Sequence, residues 1–418
     1  MTAPAPRPVH PARTPGPVRV VGTGLLGTSA GLGLRARGVD VVLSDPSPAA
    51  AALARDLGAG RLAGPRTGPR TSTGGTDSAG GAGGAGGADG EPRLVLVAAP
   101  PDVTAQVVAA ELAAWPRAVV TDVASVKRTV LAQLLAAGAD VRRYVGGHPL
   151  AGRERSGAVA GRGDLFAGRP WVLCPAPGST PQALAAVRDL ADDLGAVPLV
   201  MDAAEHDEAV ALVSHVPQVA ASLVAAQLRR APEGAVALAG QGLRDVTRIA
   251  ASDPALWVQI LGANAAPVAS VLRSVRDGLD AVLAALEELA GEDLARGGAG
   301  DGGPGDGAAS GAGPARTGAR AALARVIAEG GAGRARIPGK HGAPPTAYAV
   351  VAVLVPDAPG ELARLLREVG EAGVNLEDLR LEHSPGQPVG LAELSVLPAA
   401  RSRLEDVLRE RGWAVHAG

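Results

Sequence analysis

Residues 18–27 read VRVVGTGLLG, and the fold is decided by how this stretch is read. Val18, Val20 and Val21 form a short β-favouring run that stops at Gly22. Gly22, Gly24 and Gly27 then fall as G-x-G-x-x-G where an Ala/Leu-rich helical pattern opens and runs through Arg37. In this pattern the first glycine makes the turn, the second lets the backbone approach a pyrophosphate, and the third allows close helix–strand packing. A second apolar run, Val39 to Leu43, ends at Ser44 and Asp45. A carboxylate at that point bonds ribose hydroxyls and repels a 2′-phosphate. Strand, tight turn, helix, strand is a βαβ unit with parallel pairing. The stretch predicts a dinucleotide site built from Gly22, Gly24, Leu25, Leu26, Gly27 and Asp45. NAD is expected over NADP, although Arg35 and Arg37 lie close by.

Working outward, LVLVAAP at 94–100 and AVVTD at 118–122 read as strands, alternating with helical patterns at about 101–113 and 127–137. Alternation of this kind predicts an α/β Rossmann-type, doubly wound parallel sheet. Ala99 and Pro100 follow a strand end, where ligands bind in such sheets, and are expected to line the nicotinamide half of the site. A plain proline-rich turn would read much the same. WVLCP and AVPLVM flank a helical pattern at about 180–194 and bring the nucleotide-binding domain to residues 18–200. Within it, residues 64–92 are Gly/Ala/Ser/Thr-rich and lack apolar periodicity, so a disordered surface loop is expected.

From Ala203 to Leu289 apolar residues recur at three- and four-residue spacing, as in VALVSHVPQVAASLVAAQL. That pattern predicts an all-α domain over 201–295. Its apolar content exceeds what one face needs, which fits packing between two subunits. Residues 296–345 read as a linker, partly disordered, opening on a second glycine-rich tract at 296–317. The last block, 346–418, reads as a small β-α-β-β-α unit.

Composition narrows the partners. The chain of 418 residues carries 40 basic and 42 acidic side chains. It lacks the positive balance that suits nucleic acid or an acidic membrane surface, and a small-molecule partner is expected. Cys174 is the lone cysteine, which suits a reducing cytoplasm. No signal-peptide core and no run of about 18 apolar residues is evident, so no membrane partner is expected. H-E-x-x-H and C-x-x-C spacings are absent, and no metal is expected.

Three further stretches hold polar chemistry. TDVASVK ends a strand at Asp122 and presents Ser125 and Lys127 in the turn; a helix cap would account for Asp122 or Ser125 equally well. GGHPLAG sets His148 between Gly147 and Pro149 at the end of an expected strand, held in a loop. A neutral imidazole there suits general-base work, though a lone histidine is more often structural. In the helical region His206 and Asp207 precede Ser214, His215 and Gln218. GLRDVTRIAASDPALW then packs Arg244, Asp245, Thr247, Arg248, Ser252, Asp253 and Trp257 into an otherwise apolar setting. Burying such groups is costly unless they pair or meet a ligand, and an arginine can clamp a carboxylate. A salt-bridge network between helices is the competing account.

GTGLLG, TDVASVK, GGHPLAGRERSG, SHVPQ and GLRDVTRIAASDPALW, in this order, resemble the prephenate dehydrogenases of tyrosine biosynthesis and their arogenate-using relatives, over about residues 18–290. VPDAPGELARLLREVGEAGVNLEDL resembles an ACT domain, a small ferredoxin-like regulatory module that commonly binds amino acids. The resemblance implies NAD-dependent oxidative decarboxylation of prephenate to 4-hydroxyphenylpyruvate and a homodimer formed through the helical domain. It makes His148 the base, with Ser125 orienting the imidazole and bonding the substrate hydroxyl. Arg248 would bind a substrate carboxylate, with His215, Gln218 and Glu154 as further pocket residues. Many members have histidine where this chain has Gln218, a position where selectivity between prephenate and arogenate could be set. Two competing functions are a nucleotide-binding regulator without turnover and a β-hydroxyacid dehydrogenase; the latter does not account for GGHPLAG.

Overall fold

The computed structural model describes residues 11–64, 91–152, 157–297, 314–337, 348–383 and 388–417. They form two units, Met1–Ser274 and Val275–Gly418.

The first unit begins with β1 (Val18–Val21), α1 (Leu25–Ala36), β2 (Val41–Ser44), α2 (Pro48–Asp56) and the short β3 (Arg61–Leu62). It continues through β4 (Leu94–Val97), α3 (Pro101–Ala114), β5 (Val119–Asp122), α4 (Arg128–Ala136) and β6 (Tyr144–Pro149), then β7 (Pro170–Pro175), α5 (Pro181–Asp193) and β8 (Val197–Val200). The eight strands run in the order β3-β2-β1-β4-β5-β6-β7-β8. Strand order reverses between β1 and β4, which pair in parallel from Val18 with Leu94 to Val21 with Val97. Ligands bind beside such a switch point, at the carboxyl ends of the strands.

The sheet is not wholly parallel as the sequence reading expects: β6 and β7 are antiparallel, with His148 opposite Val172. Between them lies only a 3-10 turn, Ala158–Ala160, among the described residues. Without a helical crossover to carry the chain back, β7 returns alongside β6 in the opposite sense. Helices cover both faces. Ala30, Leu34, Ala54, Val187 and Leu190 close one side, and Val108, Leu112, Val130 and Leu134 the other. Each fully buried leucine or valine of this kind contributes about 1.5–3 kcal/mol.

The helical part follows as α6 (Ala203–Val210), a π-helical turn over Ala211–His215, α7 (Val216–Gln227), α8 (Glu233–Ala237), α9 (Gln241–Thr247) and α10 (Pro254–Ala263). At Asn264 the chain turns sharply into α11 (Ala265–Gly297). By length and apolarity the run Ala203–Arg230 matches a membrane-crossing helix. His206, Asp207, His215 and Gln218 along it are nevertheless buried, while Leu212, Val213 and Leu223 are exposed.

In the second unit α12 (Pro314–Arg334) occupies a stretch that the sequence reading leaves as linker. Then come β9 (Ala349–Pro356), α13 (Glu361–Glu371), β10 (Asp378–His383), β11 (Val389–Val396), α14 (Arg401–Glu410) and β12 (Ala414–Ala417). The sequence reading lacks β12, which pairs antiparallel with β9. Its addition makes a βαββαβ unit with sheet order β10-β11-β9-β12, the split-βαβ arrangement. The glycine-rich tract expected to be disordered lies, from 65 to 90, outside the described residues.

Candidate active site

The glycine loop joins β1 to α1, and its three glycines do different things. Gly22 sits at φ +97°, and a Cβ there would stand 2.2 Å from the carbonyl oxygen of Ala98. At Gly27 a Cβ would stand 1.9 Å from the oxygen of Gly22, so no larger residue fits between loop and helix. A Cβ on Gly24 would meet nothing. That open space lies at the N-terminus of α1, which has no side-chain cap and no acidic residue in its first turn. Its free N–H groups, with those of Leu25 and Leu26 behind Gly24, form a cradle that fits a pyrophosphate. Asp45 follows β2 directly. One carboxylate oxygen accepts from Thr23 N at 2.7 Å and Thr23 Oγ1 at 2.9 Å, and the other from Ser47 N at 2.8 Å. The acid is thereby fixed beside the loop, where ribose hydroxyls would reach it. Ala99 is half-buried, and Pro100 is exposed at the start of α3, one strand over from the glycine loop.

His148 is not in a loop: it is the fifth residue of β6 and only 8 % exposed. Tyr144, Gly146 and His148 alternate onto one face of the strand. The two glycines before it are packing requirements. A Cβ on Gly147 would stand 2.4 Å from the carbonyl oxygen of Asp122, and one on Gly146 would stand 3.1 Å from Lys127 Cδ.

The imidazole is oriented from the helical part of the unit. His148 Nδ1 lies 2.8 Å from His206 Nε2, and His206 Nδ1 lies 2.8 Å from Asp207 Oδ1. Asp207 is further held by Lys127 N at 2.8 Å and Arg128 N at 2.9 Å. Burial pushes its carboxyl up, but the bonds from His206 and these backbone N–H groups outweigh that and leave it below the usual range. A carboxylate accepts only, so His206 carries a proton on Nδ1, and the neutral ring then presents its lone pair at Nε2. His148 Nδ1 must then be the donor, and His148 Nε2 is left with the lone pair. Burial, reinforced by the neighbouring His206, Lys127 and His215, holds His148 well below an ordinary histidine and keeps it neutral.

Beneath it lies a buried ion pair. Lys127 Nζ binds Asp122 Oδ1 and donates to the carbonyl oxygen of Gly147 at 2.7 Å. Tyr144 OH donates to Asp122 Oδ2 at 2.7 Å. Burial and the Asp122 charge drive the phenol well above its ordinary value, so it stays a donor. Lys127 thus grips the residue immediately before His148.

His215 ends the π-helical turn, a local widening often found at functional sites. It is buried, and burial lowers it to about 4. Asn264 Nδ2 reaches its Nδ1 at 3.1 Å and the carbonyl oxygen of Asp207 at 2.7 Å. Its ring stands edge-on to Trp257, with centroids 6.0 Å apart. Gln218 is buried and bonds Ser222 and Ser252 at 3.5 and 3.4 Å. With Trp257 these line a cavity of about 290 Å³.

The structure therefore brings His148, His206, Asp207, His215 and Asn264 into one connected network. Arg248, after α9, is exposed, and among the described residues its side chain makes no hydrogen bond to that network. Ser125, half-buried after β5, makes no side-chain hydrogen bond among the described residues, so His206 takes the orienting place expected of it. Glu154 lies outside the described residues. Asn264 and the linking role of His206 escape sequence reading. The Glu-His-Asp triplet at 205–207 was the available signal for His206, whereas an asparagine after an apolar helix reads as an ordinary cap. Among the described residues no three His, Cys, Asp or Glu side chains gather as metal ligands.

Comparison with known proteins bears on this arrangement. Residues 88–200 match the family model "Prephenate dehydrogenase, nucleotide-binding domain", and 202–297 match "Prephenate dehydrogenase, dimerization domain". The chain is 38 % identical over 400 residues to the probable prephenate dehydrogenase NovF of Streptomyces niveus, covering 95 % of this chain and 99 % of the other. The crystal structure of prephenate dehydrogenase from A. aeolicus, in complex with hydroxyphenyl propionate and NAD+, is similar at TM-score 0.54 and 27 % identity, over 67 % of this chain and 93 % of that one. Synechocystis arogenate dehydrogenase shares the fold at TM-score 0.52 and 24 % identity, covering 67 % and 95 %.

Proposed function

The chain belongs to the prephenate dehydrogenase family and carries out the NAD-dependent oxidative decarboxylation of prephenate, and we propose that His148 is the base of that reaction. The observation that carries this reading is the ordered chain Asp207–His206–His148, which leaves His148 Nε2 as a lone-pair acceptor at the carboxyl end of the sheet. The N-terminus of α1 at Gly24, Leu25 and Leu26 would hold the pyrophosphate of NAD and Asp45 its ribose hydroxyls, and bound NAD would supply the hydride acceptor. His148 Nε2 takes the proton of the C4 hydroxyl as the C4 hydride departs. Loss of the ring carboxylate as carbon dioxide then makes the ring aromatic as a phenolate, which takes the proton back from His148 and gives 4-hydroxyphenylpyruvate.

A buried neutral histidine suits the task because it is ready to accept at physiological pH. The imidazolium it becomes is stabilised through His206 by the Asp207 carboxylate, as the acid of a Ser-His-Asp triad stabilises its histidine. Ser125, three residues past β5, would hold the substrate hydroxyl. His215 faces the substrate side chain, with Gln218 alongside, and Arg248 receives a substrate carboxylate.

Exposed Leu212, Val213, Leu223 and Val258 on α7, α10 and the π turn support a homodimer formed through this part, since water disfavours so much apolar surface. The βαββαβ unit supports an ACT-like role with an amino-acid effector. Purified full-length chain with NAD and prephenate should form NADH. His148→Asn should abolish most turnover and leave NAD affinity intact. Equal turnover by that variant would remove His148 as the base.

A further inference from the structure

We propose that Asn264 is a positioning residue that fixes His215 as an N–H donor toward the substrate side chain, and so favours a keto oxygen there over an ammonium. This rests on the reading of the site as a prephenate site with His215 facing the side chain.

Asn264 is 2 % exposed and stands where α10 gives way to α11. Its amide faces the backbone oxygen of Asp207 at 2.7 Å. A carbonyl oxygen only accepts, so the atom facing it is the amide nitrogen, and the orientation of the side chain is settled by that bond. The second hydrogen of the same nitrogen is directed at His215 Nδ1, 3.1 Å away. That ring nitrogen must offer a lone pair, and the ring proton is left on Nε2. His215 Nε2 has no hydrogen bond to any described residue, so the N–H is free for a ligand.

One residue, Asp207, therefore sets two tautomers in opposite senses. Its carboxylate gives His206, and through it His148, an outward lone pair. Its backbone oxygen, through Asn264, gives His215 an outward N–H. The two histidines present complementary atoms: an acceptor for a hydroxyl proton and a donor for an oxygen. Prephenate carries a keto oxygen in its side chain, which accepts. Arogenate carries an ammonium at that position, which only donates, and two donors face to face leave both unpaired. A site built to bond one polar group discriminates against an analogue that cannot complete the bond.

The test combines ring-nitrogen NMR of isotope-labelled histidine with steady-state rates on prephenate and arogenate, using the full chain and its Asn264→Asp and Asn264→Ala variants. Wild type should show His215 protonated on Nε2. In Asn264→Asp the carboxylate should draw the His215 proton to Nδ1, and the ratio of kcat/KM for prephenate over arogenate should fall roughly tenfold, mainly through KM. NAD affinity should not change. If that variant fails to fold, Asn264→Ala should give mixed His215 tautomers and a partial fall in the same ratio. Protonation of wild-type His215 on Nδ1 would overturn the proposal. So would an unchanged substrate ratio in a folded variant whose tautomer has moved. Wild-type protein without turnover on either substrate would instead overturn the prephenate reading, with the tautomer still decided by NMR.

Discussion

His148 Nδ1 lies 2.8 Å from His206 Nε2, across 58 positions of sequence. The bond joins a strand of the nucleotide-binding sheet to the first helix of the helical part, so the base and the group that orients it arrive from different layers of the same unit. Replacing His206 with asparagine removes the ring that transmits the Asp207 charge. Turnover should fall roughly 10²-fold, the scale of an acid–base contribution, while NAD affinity stays the same. Asp207→Asn should act in the same direction, because a donor amide at that position reverses the tautomer of His206. If stopped-flow NADH formation by His206→Asn matched wild type, the relay would have no catalytic part.

The buried pair of Lys127 and Asp122 makes a separate prediction about stability. Both side chains are almost wholly buried, and Asp122 also receives Tyr144 OH and Ala124 N. Removing one partner leaves the other charge uncompensated, which costs about 3–5 kcal/mol, whereas removing both costs less. Lys127→Met should lower the urea midpoint sharply, and the double change with Asp122→Asn should recover part of the loss. Additive losses in the two variants would show that the pair is not coupled.

Where the chain announced its structure, it did so through local pattern. The glycine loop, β4, β5 and their helices were legible because strand and helix periodicities alternate there over short connections. His148 was legible as a candidate but misplaced, because GGHP has no apolar alternation. The two glycines that hide the strand are there to clear the Asp122 carbonyl and Lys127. The antiparallel turn of β7 could not be read, since nothing local tells a strand which neighbour it will join. β12 is four residues long, too short for periodicity to be counted, and α12 begins inside a glycine-rich tract and carries Gly318, Gly330, Gly331 and Gly333, which mask its helical pattern. Asn264 is out of reach for another reason: its meaning lies in two partners 49 and 57 positions away.

Two glycines of the loop should separate binding from folding. Alanine at 24 would point its methyl into open space, so the fold and its melting temperature should be retained. The same methyl occupies the place the pyrophosphate needs, and NAD affinity should fall by an order of magnitude or more, roughly 1.4 kcal/mol per factor of ten. Alanine at 27 would place its methyl 1.9 Å from the Gly22 carbonyl and should destabilise the domain itself. Titration calorimetry with NAD, beside thermal melts of both variants, distinguishes the cases. Equal NAD affinity in wild type and Gly24→Ala would displace the cofactor from this loop.

The buried histidines should make stability depend on pH in a defined window. Burial, with the neighbouring His206, Lys127 and His215, holds His148 well below 6.5, and burial lowers His215 to about 4. In the unfolded chain both return to about 6.5. Below that value the unfolded state binds protons that the folded state refuses, so unfolding is favoured as pH falls. Above pH 6.5 both states are neutral at these rings, and the contribution is flat. For His215 the loss accumulates from about pH 6.5 down to about 4 and then levels off, once the folded ring also takes its proton. Melting temperature measured across this range should fall more steeply in wild type than in His215→Gln, whose side chain does not titrate. Parallel curves for the two proteins would mean that His215 is not held neutral in the fold.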